Sequence, residues 1–300
     1  MLFFTGSSTG KTMQHERIAE NVYFFQSSLY AQVTAGIVTG PDMAVLIDTL
    51  ALPEETRQLR TFIERELRVP VRYIINTHYH ADHSWGSCFF PEAQVIAHRA
   101  CYDMLRTRGA AALESEKTEN SQLRDVDLVL PTFTFDSGEL NLLVGKKTLT
   151  IFPLPGHSAD SIAVLVDEDR ILFCGDTFMA LPTLVDGDID DMLASLKRIP
   201  KMSLENLVPG HGEIVLRGEI ESAVRSNLHY LSELRKVVRQ ASRRRYPLDL
   251  LETVHVEDCG KSRVLIAGLA EQLHHRNLIA LYRHEYGEVP EGSEMVFESR

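Results

Sequence analysis

Directly after the apolar run Val71 to Ile75 stands Asn76-Thr77-His78-Tyr79-His80-Ala81-Asp82-His83, with three imidazoles and one carboxylate in six residues. Imidazole nitrogen and carboxylate oxygen suit zinc and neighbouring borderline metals, and residues two apart in an extended backbone point the same way. His78 and His80 can therefore grip one ion, leaving Asp82 and His83 one step further on for a second. Three further segments end apolar runs in a glycine turn: Pro155-Gly156-His157, Gly175-Asp176 and Pro209-Gly210-His211-Gly212. Counting strand directions brings them to one sheet edge. Lys147 to Leu154 runs out to His157, Ser161 to Val166 returns, Asp167-Glu168-Asp169 turns, and Arg170 to Gly175 runs forward again to Asp176. Leu204 to Val208 likewise ends at His211. Four strand ends thus deliver His78, His80, Asp82, His83, His157, Asp176 and His211. Seven donors with one carboxylate able to bridge is the inventory of a two-metal site, with the ions about 3.5 to 4 Å apart.

Such a site needs sheets to present it. Val22 to Phe25, Ala31 to Val38 and Met43 to Ile47, the last after the Gly40-Pro41-Asp42 turn, predict an antiparallel meander. After Pro53, the spacing of Leu59, Phe62, Ile63 and Leu67 predicts an amphipathic helix that covers a sheet. Val71 to Ile75 and Gln94 to Ala97 read as strands, and His98 to about Arg108 as a helix. Glu114 to Asp127 is polar and aperiodic, which predicts a mobile loop near the site. From Thr132 to Cys174 the pattern is β-rich, followed by a helix over Ile189 to Arg198 and a strand over Leu204 to Val208. A long helix from Glu219 to about Gln240 carries the stripe Ile220, Val224, Leu228, Leu231, Leu234 and Val238. The remainder, with a helix from Arg263 to Tyr282, carries no chemical motif and reads as a helical appendage. The expected organisation is a catalytic domain over residues 1–245 and an extension over 246–300. Strand blocks interspersed with helices predict an α+β fold, two sheets face to face with helices outside. The tight turns favour hairpins over a doubly wound parallel sheet.

With H-x-H-x-D-H at 78 to 83, P-G-H at 155 to 157, G-D at 175 to 176 and P-G-H-G at 209 to 212, the chain resembles the metallo-β-lactamase superfamily from about residue 20 to 245. The resemblance implies an αββα sandwich. It implies that His78, His80 and His157 hold one metal, that Asp82, His83 and His211 hold the other, and that Asp176 bridges. It also implies that Asp48, in Leu46-Ile47-Asp48-Thr49, supports the ligands from behind. Two zinc ions per chain are the implied cofactors, with manganese or iron as alternatives. Several zinc β-lactamases place cysteine where Asp176 stands, so this chain looks more like the glyoxalase II, lactonase and phosphodiesterase branches.

Two divalent ions sharing a water bring its pKa towards neutrality, so the expected reaction is hydroxide attack on a carbonyl ester, lactone, thioester or β-lactam amide. Asp82 is a candidate to carry a proton to the leaving group. Tyr79, Trp85, Phe178 and Met179 flank the motifs as candidate substrate contacts, and the same residue types also fill cores. No basic cluster stands near these motifs to clamp a phosphate, although Arg99 and Arg106 can fold in from the following helix, which ranks phosphodiesterase chemistry below carbonyl chemistry. The rival from another class is a mononuclear iron persulfide dioxygenase of the same superfamily, its iron at the positions matching His78, His157 and Asp176. The intact Asp82, His83 and His211 weigh against it. A non-catalytic scaffold would be expected to have lost ligands.

Composition narrows the partners. With 42 acidic against 31 basic residues in 300, a net charge of −11 repels polyanions, so neither nucleic acid nor an anionic membrane is an expected partner. A small-molecule substrate is. No apolar run reaches the roughly 18 to 20 residues of a membrane span. Met1 to Ser8 has no basic or apolar leader character, which makes the cytoplasm the default location. The four cysteines form no C-x-x-C pair, and Cys174 reads as an inert buried thiol. His98, His229, His255, His274, His275 and His284 read as solvent-facing or ordinary helix residues without a role. Gly6 to Thr12 resembles a phosphate loop, but has three residues between its glycines where four are required, and is rejected as a nucleotide site. Two uses are open for the tail, a cap over the site or a homodimer contact.

Overall fold

Most strands of this chain are apolar on both faces, and the architecture covers both. The computed structural model describes residues 13–288; Met1 to Ser8 and Gly6 to Thr12 lie outside the described residues. Strands β1 (Gln14–Ala19), β2 (Val22–Gln26), β3 (Thr34–Thr39), β4 (Ala44–Ile47), β5 (Val71–Ile75), β6 (Gln94–His98) and β7 (Phe133–Phe135) form one sheet in chain order. The second sheet runs in reverse order, from β13 (Val215–Leu216) through β12 (Asn206–Val208), β11 (Ile171–Phe173), β10 (Ile162–Val166) and β9 (Lys147–Pro153) to β8 (Leu140–Val144). Pairing is antiparallel from β1 to β4 and parallel from β4 to β7. In the second sheet only β11 and β12 are parallel.

The two-residue period of the strands sorts the apolar side chains into layers. Val38, Ile47, Ile75 and Ile96 meet Leu149, Ile151, Val164 and Phe173 between the sheets. Their neighbours Ile37, Leu46, Ile74 and Val95 face outward onto Leu59 and Ile63 of the helix that begins at Pro53. Helices α1 (Pro53–Phe62), α2 (Ala81–Ser84), α3 (Arg99–Met104) and α4 (Ala110–Glu119) belong to the first half. α5 (Ile189–Arg198), α6 (Arg217–Ala241), α7 (Pro247–Leu251) and α8 (Ala270–Tyr286) belong to the second. Phe152, Ala163, Leu165 and Leu172, on the outer face of the second sheet, share a core with Met192 and Leu196 of α5 and Leu231 and Leu234 of α6. The result is the expected αββα sandwich with a helical C-terminal extension.

Local chemistry fixes the helix that bears on the site. The Asp188 carboxylate accepts the N–H groups of Asp190 and Asp191 at the start of α5, a cap worth about 1 kcal/mol. This end packs against Gly156, where a Cβ would lie 2.5 Å from the Met192 Cα and φ is +146°, so only glycine fits before His157.

Two elements differ from expectation. The helix over residues 110–119 takes in the first part of the loop expected over Glu114 to Asp127, because Ala-Ala-Ala-Leu-Glu-Ser-Glu-Lys is rich in strong helix formers and only Leu113 is buried, so propensity replaces periodicity. The last helix begins at Ala270 and not Arg263, because Ile266, Ala267 and Gly268 take positive φ and turn the chain. The extension then buries Leu248, Leu251, Val256, Leu278 and Leu281 in the core that holds α6.

Candidate metal centre

β4 and β5 end side by side, and the turns beyond their ends are tied together by one carboxylate. Asp48, at φ +58° just beyond β4, accepts the Thr77 N–H at 2.8 Å and the Thr77 hydroxyl at 2.7 Å. Its Oδ2 also lies 2.8 Å from His83 Nδ1. The chain between β5 and α2 is thereby fixed, and His78, His80, Asp82 and His83 are presented from it. His157 comes from the β9–β10 turn, Asp176 from the turn after β11, and His211 from the β12–β13 turn. Gly210 allows the last two to approach, since a Cβ there would stand 1.9 Å from Asp176 Oδ1.

The donors gather into two clusters, His78, His80, His157 and Asp176 in one and Asp82, His83 and His211 in the other, each with its ligand atoms within 4.8 Å of one another. His80 Nδ1 is 3.0 Å from His78 Nε2 and 2.9 Å from His157 Nε2. Asp176 joins the clusters, its Oδ2 3.4 Å from His157 Nε2 and 3.5 Å from His211 Nε2, its Oδ1 3.2 Å from His83 Nε2. Asp82 Oδ2 lies 3.3 Å from His211 Nε2.

Each imidazole has its other nitrogen engaged: His78 Nδ1 with the Thr77 hydroxyl at 3.1 Å, His80 Nε2 with Asp186 at 2.9 Å, His83 Nδ1 with Asp48, and His211 Nδ1 with the Ala31 carbonyl at 2.9 Å. His157 Nδ1 meets the Thr183 hydroxyl at 2.7 Å and its carbonyl at 3.2 Å. Outward hydrogen bonds of this kind set the tautomer and leave the inward nitrogen free for a metal. His83 Nε2 and Asp176 Oδ1 are buried without a hydrogen-bond partner, a costly state for polar atoms that a cation between them would relieve. The donor set, all imidazole and carboxylate, fits zinc and its neighbours.

Charge is unevenly distributed over these groups. Burial holds His157 down to about 4, and it drives His78 the same way, so both favour the neutral form that ligates. For His211 burial is outweighed by the Asp176 and Asp82 carboxylates, which raise it to about 10. Asp186 is held far below the usual carboxylate range by the His80 hydrogen bond, with help from Tyr79 and Arg108.

The metal-side surface opens into a cavity of about 340 Å³. Tyr79, Trp85 and Met179 line it, as do Tyr30, Val185 and, from the C-terminal extension, Ile266, Leu269 and Leu273. Phe178 does not: it lies in the core beneath α6 because the chain leaves the Asp176 turn extended and directs this ring inward. Arg108 and Arg276 are the cations at the cavity, where Arg99 and Arg106 were the ones weighed. His274, expected to be solvent-facing or an ordinary helix residue, is on a helix, α8, but fully buried, with Nδ1 3.1 Å from the Tyr230 hydroxyl. Asp186 and Thr183 escaped the sequence reading as partners of ligands. The segment Pro182 to Asp188 reads as a continuation of the wall beside the metals, but nothing in its sequence pairs Thr183 or Asp186 with a particular histidine.

Comparison with known proteins agrees with this geometry. Residues 30–211 match the family described as the metallo-beta-lactamase superfamily. The "Beta-lactamase-like protein 2 homolog" of Caenorhabditis elegans is 27% identical over 48% of this chain and 43% of its own length. The "Atrochrysone carboxyl ACP thioesterase" of Aspergillus fumigatus is 25% identical over 65% of this chain and 58% of its own. A human protein named as an acyl-coenzyme A thioesterase is 24% identical over 66% of this chain and 80% of its own. The chain thus spans about half the length of the first two. Among solved structures, a metallo-beta-lactamase from Pontibacter korlensis superimposes with a TM-score of 0.57 at 22% identity, over 71% of this chain and 99% of that one.

Proposed function

The chain belongs to the metallo-β-lactamase superfamily, and we propose that it is a metal-dependent hydrolase that holds two zinc ions and cleaves an acyl thioester. The observation that carries the reading is the pair of complete ligand clusters, bridged by Asp176, at the floor of an apolar cavity. His78, His80 and His157 would hold one ion, Asp82, His83 and His211 the other, with Asp176 shared. Bound there, the ions supply Lewis acidity towards a carbonyl oxygen and an acidified water as nucleophile.

The chain's own residues do the rest. Tyr30, Trp85, Met179 and Leu273 form a wall for the apolar acyl arm and exclude water from it. Asp82 meets His83 and His211 through Oδ2, which leaves Oδ1 as the oxygen that would take the proton released by the attacking water and pass it to the sulfur as the C–S bond breaks. Tyr79 is engaged elsewhere, its hydroxyl donating to Asp186 at 2.5 Å, and contributes its ring rather than a proton. Two of the relatives above are named as thioesterases, which supports ranking thioesters ahead of lactones and β-lactams among carbonyl substrates. The complete second cluster disfavours the single-iron persulfide reading.

The test is release of free thiol from acyl-coenzyme A esters of graded chain length, read with a thiol reagent. Metal-dependent release with a preferred chain length is expected. Opening of lactones without thiol release would move the assignment to lactonase chemistry.

A further inference from the structure

We propose that Asn277, on α8 in the C-terminal extension, is a positioning residue for the first metal, acting through the 182–186 loop. The inference rests on the reading of His78, His80 and His157 as ligands. That loop joins the Asp176 turn to α5 and contains no helix; a single isolated bridge, Ser158 to Asp186, ties it to a neighbour. Yet it orients two of the three imidazoles of the first cluster, since Thr183 engages His157 Nδ1 and Asp186 engages His80 Nε2. A loop given this task needs its backbone held by something else.

Asn277 does so from behind. Its side chain is fully buried, its Oδ1 accepts the Leu184 N–H at 2.8 Å, and its Nδ2 donates to the Pro182 carbonyl at 2.7 Å. The amide thereby clamps the residues on both sides of Thr183, supplying the donor and acceptor that a neighbouring strand would supply in a sheet. The same Nδ2 is also 3.1 Å from the Tyr230 hydroxyl on α6, a contact additional to the two loop hydrogen bonds that orient the amide. A second asparagine, Asn227, donates to the Met179 carbonyl at 2.9 Å earlier in the connection, and Lys261 of the extension donates to Asn227 Oδ1 at 2.7 Å.

The other cluster has a different support. His83 is held by Asp48 and His211 by the Ala31 carbonyl, both in the first half of the chain, so neither ring is oriented by the 182–186 loop that Asn277 clamps. Loss of the Asn277 clamp should therefore loosen one metal and spare the other, an asymmetry that general destabilisation does not produce.

The experiment is a titration of chelator-stripped full-length protein with Zn²⁺ against a competing chelator, together with the Tm of the metal-free protein. Wild type, Asn277→Ala, Asn277→Asp and Tyr230→Phe are compared, with Asp186→Asn marking which ion belongs to the first cluster. Asn277→Ala is expected to weaken the ion that Asp186→Asn weakens by at least about ten-fold, as removal of ligand-orienting groups does, with the other ion within about two-fold. Asn277→Asp keeps the acceptor for Leu184 N–H but cannot donate to the Pro182 carbonyl, so an intermediate loss is expected, and it serves if the alanine variant does not fold. Tyr230→Phe leaves both loop hydrogen bonds and should leave both affinities nearly unchanged. Two ions bound equally well by wild type and both Asn277 variants, or two affinities falling together with Tm, would overturn the proposal while leaving the hydrolase reading intact. A wild-type protein that takes up no metal would remove both.

Discussion

An imidazole ligand is useful to a metal only when its ring is held, and in this molecule the holding groups are as informative as the ligands. Asp48 and Asp186 are both carboxylates that orient histidines, one buried beside His83 and one at the cavity beside His80. Substituting Asp186→Asn keeps the shape but weakens the charge-assisted bond to His80 and to Tyr79, and should lower affinity for the first metal by about 10- to 100-fold. Chelator competition measures it; an unchanged affinity would show that His80 is held without Asp186. Among residues, the seven clustered donors were legible because strand ends and glycine turns announce them, and Asp48 because the resemblance extends to its segment. Asp186 and Thr183 were not, since neither has a spacing relation to the histidines it serves. Phe178 was misjudged for a related reason: proximity in sequence to Asp176 says nothing about which way the ring turns after a tight helical turn.

Elements carry these residues, and their packing sets how much change they tolerate. Gly210 faces Asp176 so closely that a Gly210→Ala side chain must displace the carboxylate that joins the two clusters. Loss of bound metal is expected, together with a stability loss of about 1 to 3 kcal/mol, measurable by metal analysis and denaturant unfolding. Leu231→Ala, in the buried stripe of α6, should instead cost about 2 to 5 kcal/mol and leave metal stoichiometry unchanged. On α8, burial holds His274 at about 4 against 6.5 for the free side chain, with His275, Glu271 and Asp258 as its charged surroundings. The fold therefore binds fewer protons than the unfolded chain between these values, and stability falls as pH drops through that window. The contribution is about 2 kcal/mol at pH 5. His274→Gln should narrow the stability gap to wild type by about that amount between pH 7 and pH 5; a constant gap would contradict it. The strands and long helices were legible from periodicity. α4 was not, since its helicity comes from alanine, leucine and glutamate with one buried side chain and no stripe.

At the scale of the whole molecule, the extension that sequence treats as an appendage is joined to the site. Its Ile266, Leu269 and Leu273 line the cavity, and its Leu278 and Leu281 share a core with α6. Truncation at Tyr246 should strip that core and abolish cooperative unfolding, read by circular dichroism and thermal melting; a stable truncated protein would separate the extension from the catalytic fold. The sequence leaves a cap over the site as one of two uses of the tail and cannot choose it, because the joining links residues about a hundred positions apart through amide and apolar contacts that leave no motif. No helix among the described residues is long and apolar enough to cross a membrane. The central claim, a two-metal hydrolytic site, is tested most directly by mass-spectrometric analysis of metal bound per chain in full-length protein purified without a histidine tag or added metal. About two divalent ions per chain, chiefly zinc, is the expected result; a single iron, or no metal at all, would contradict it.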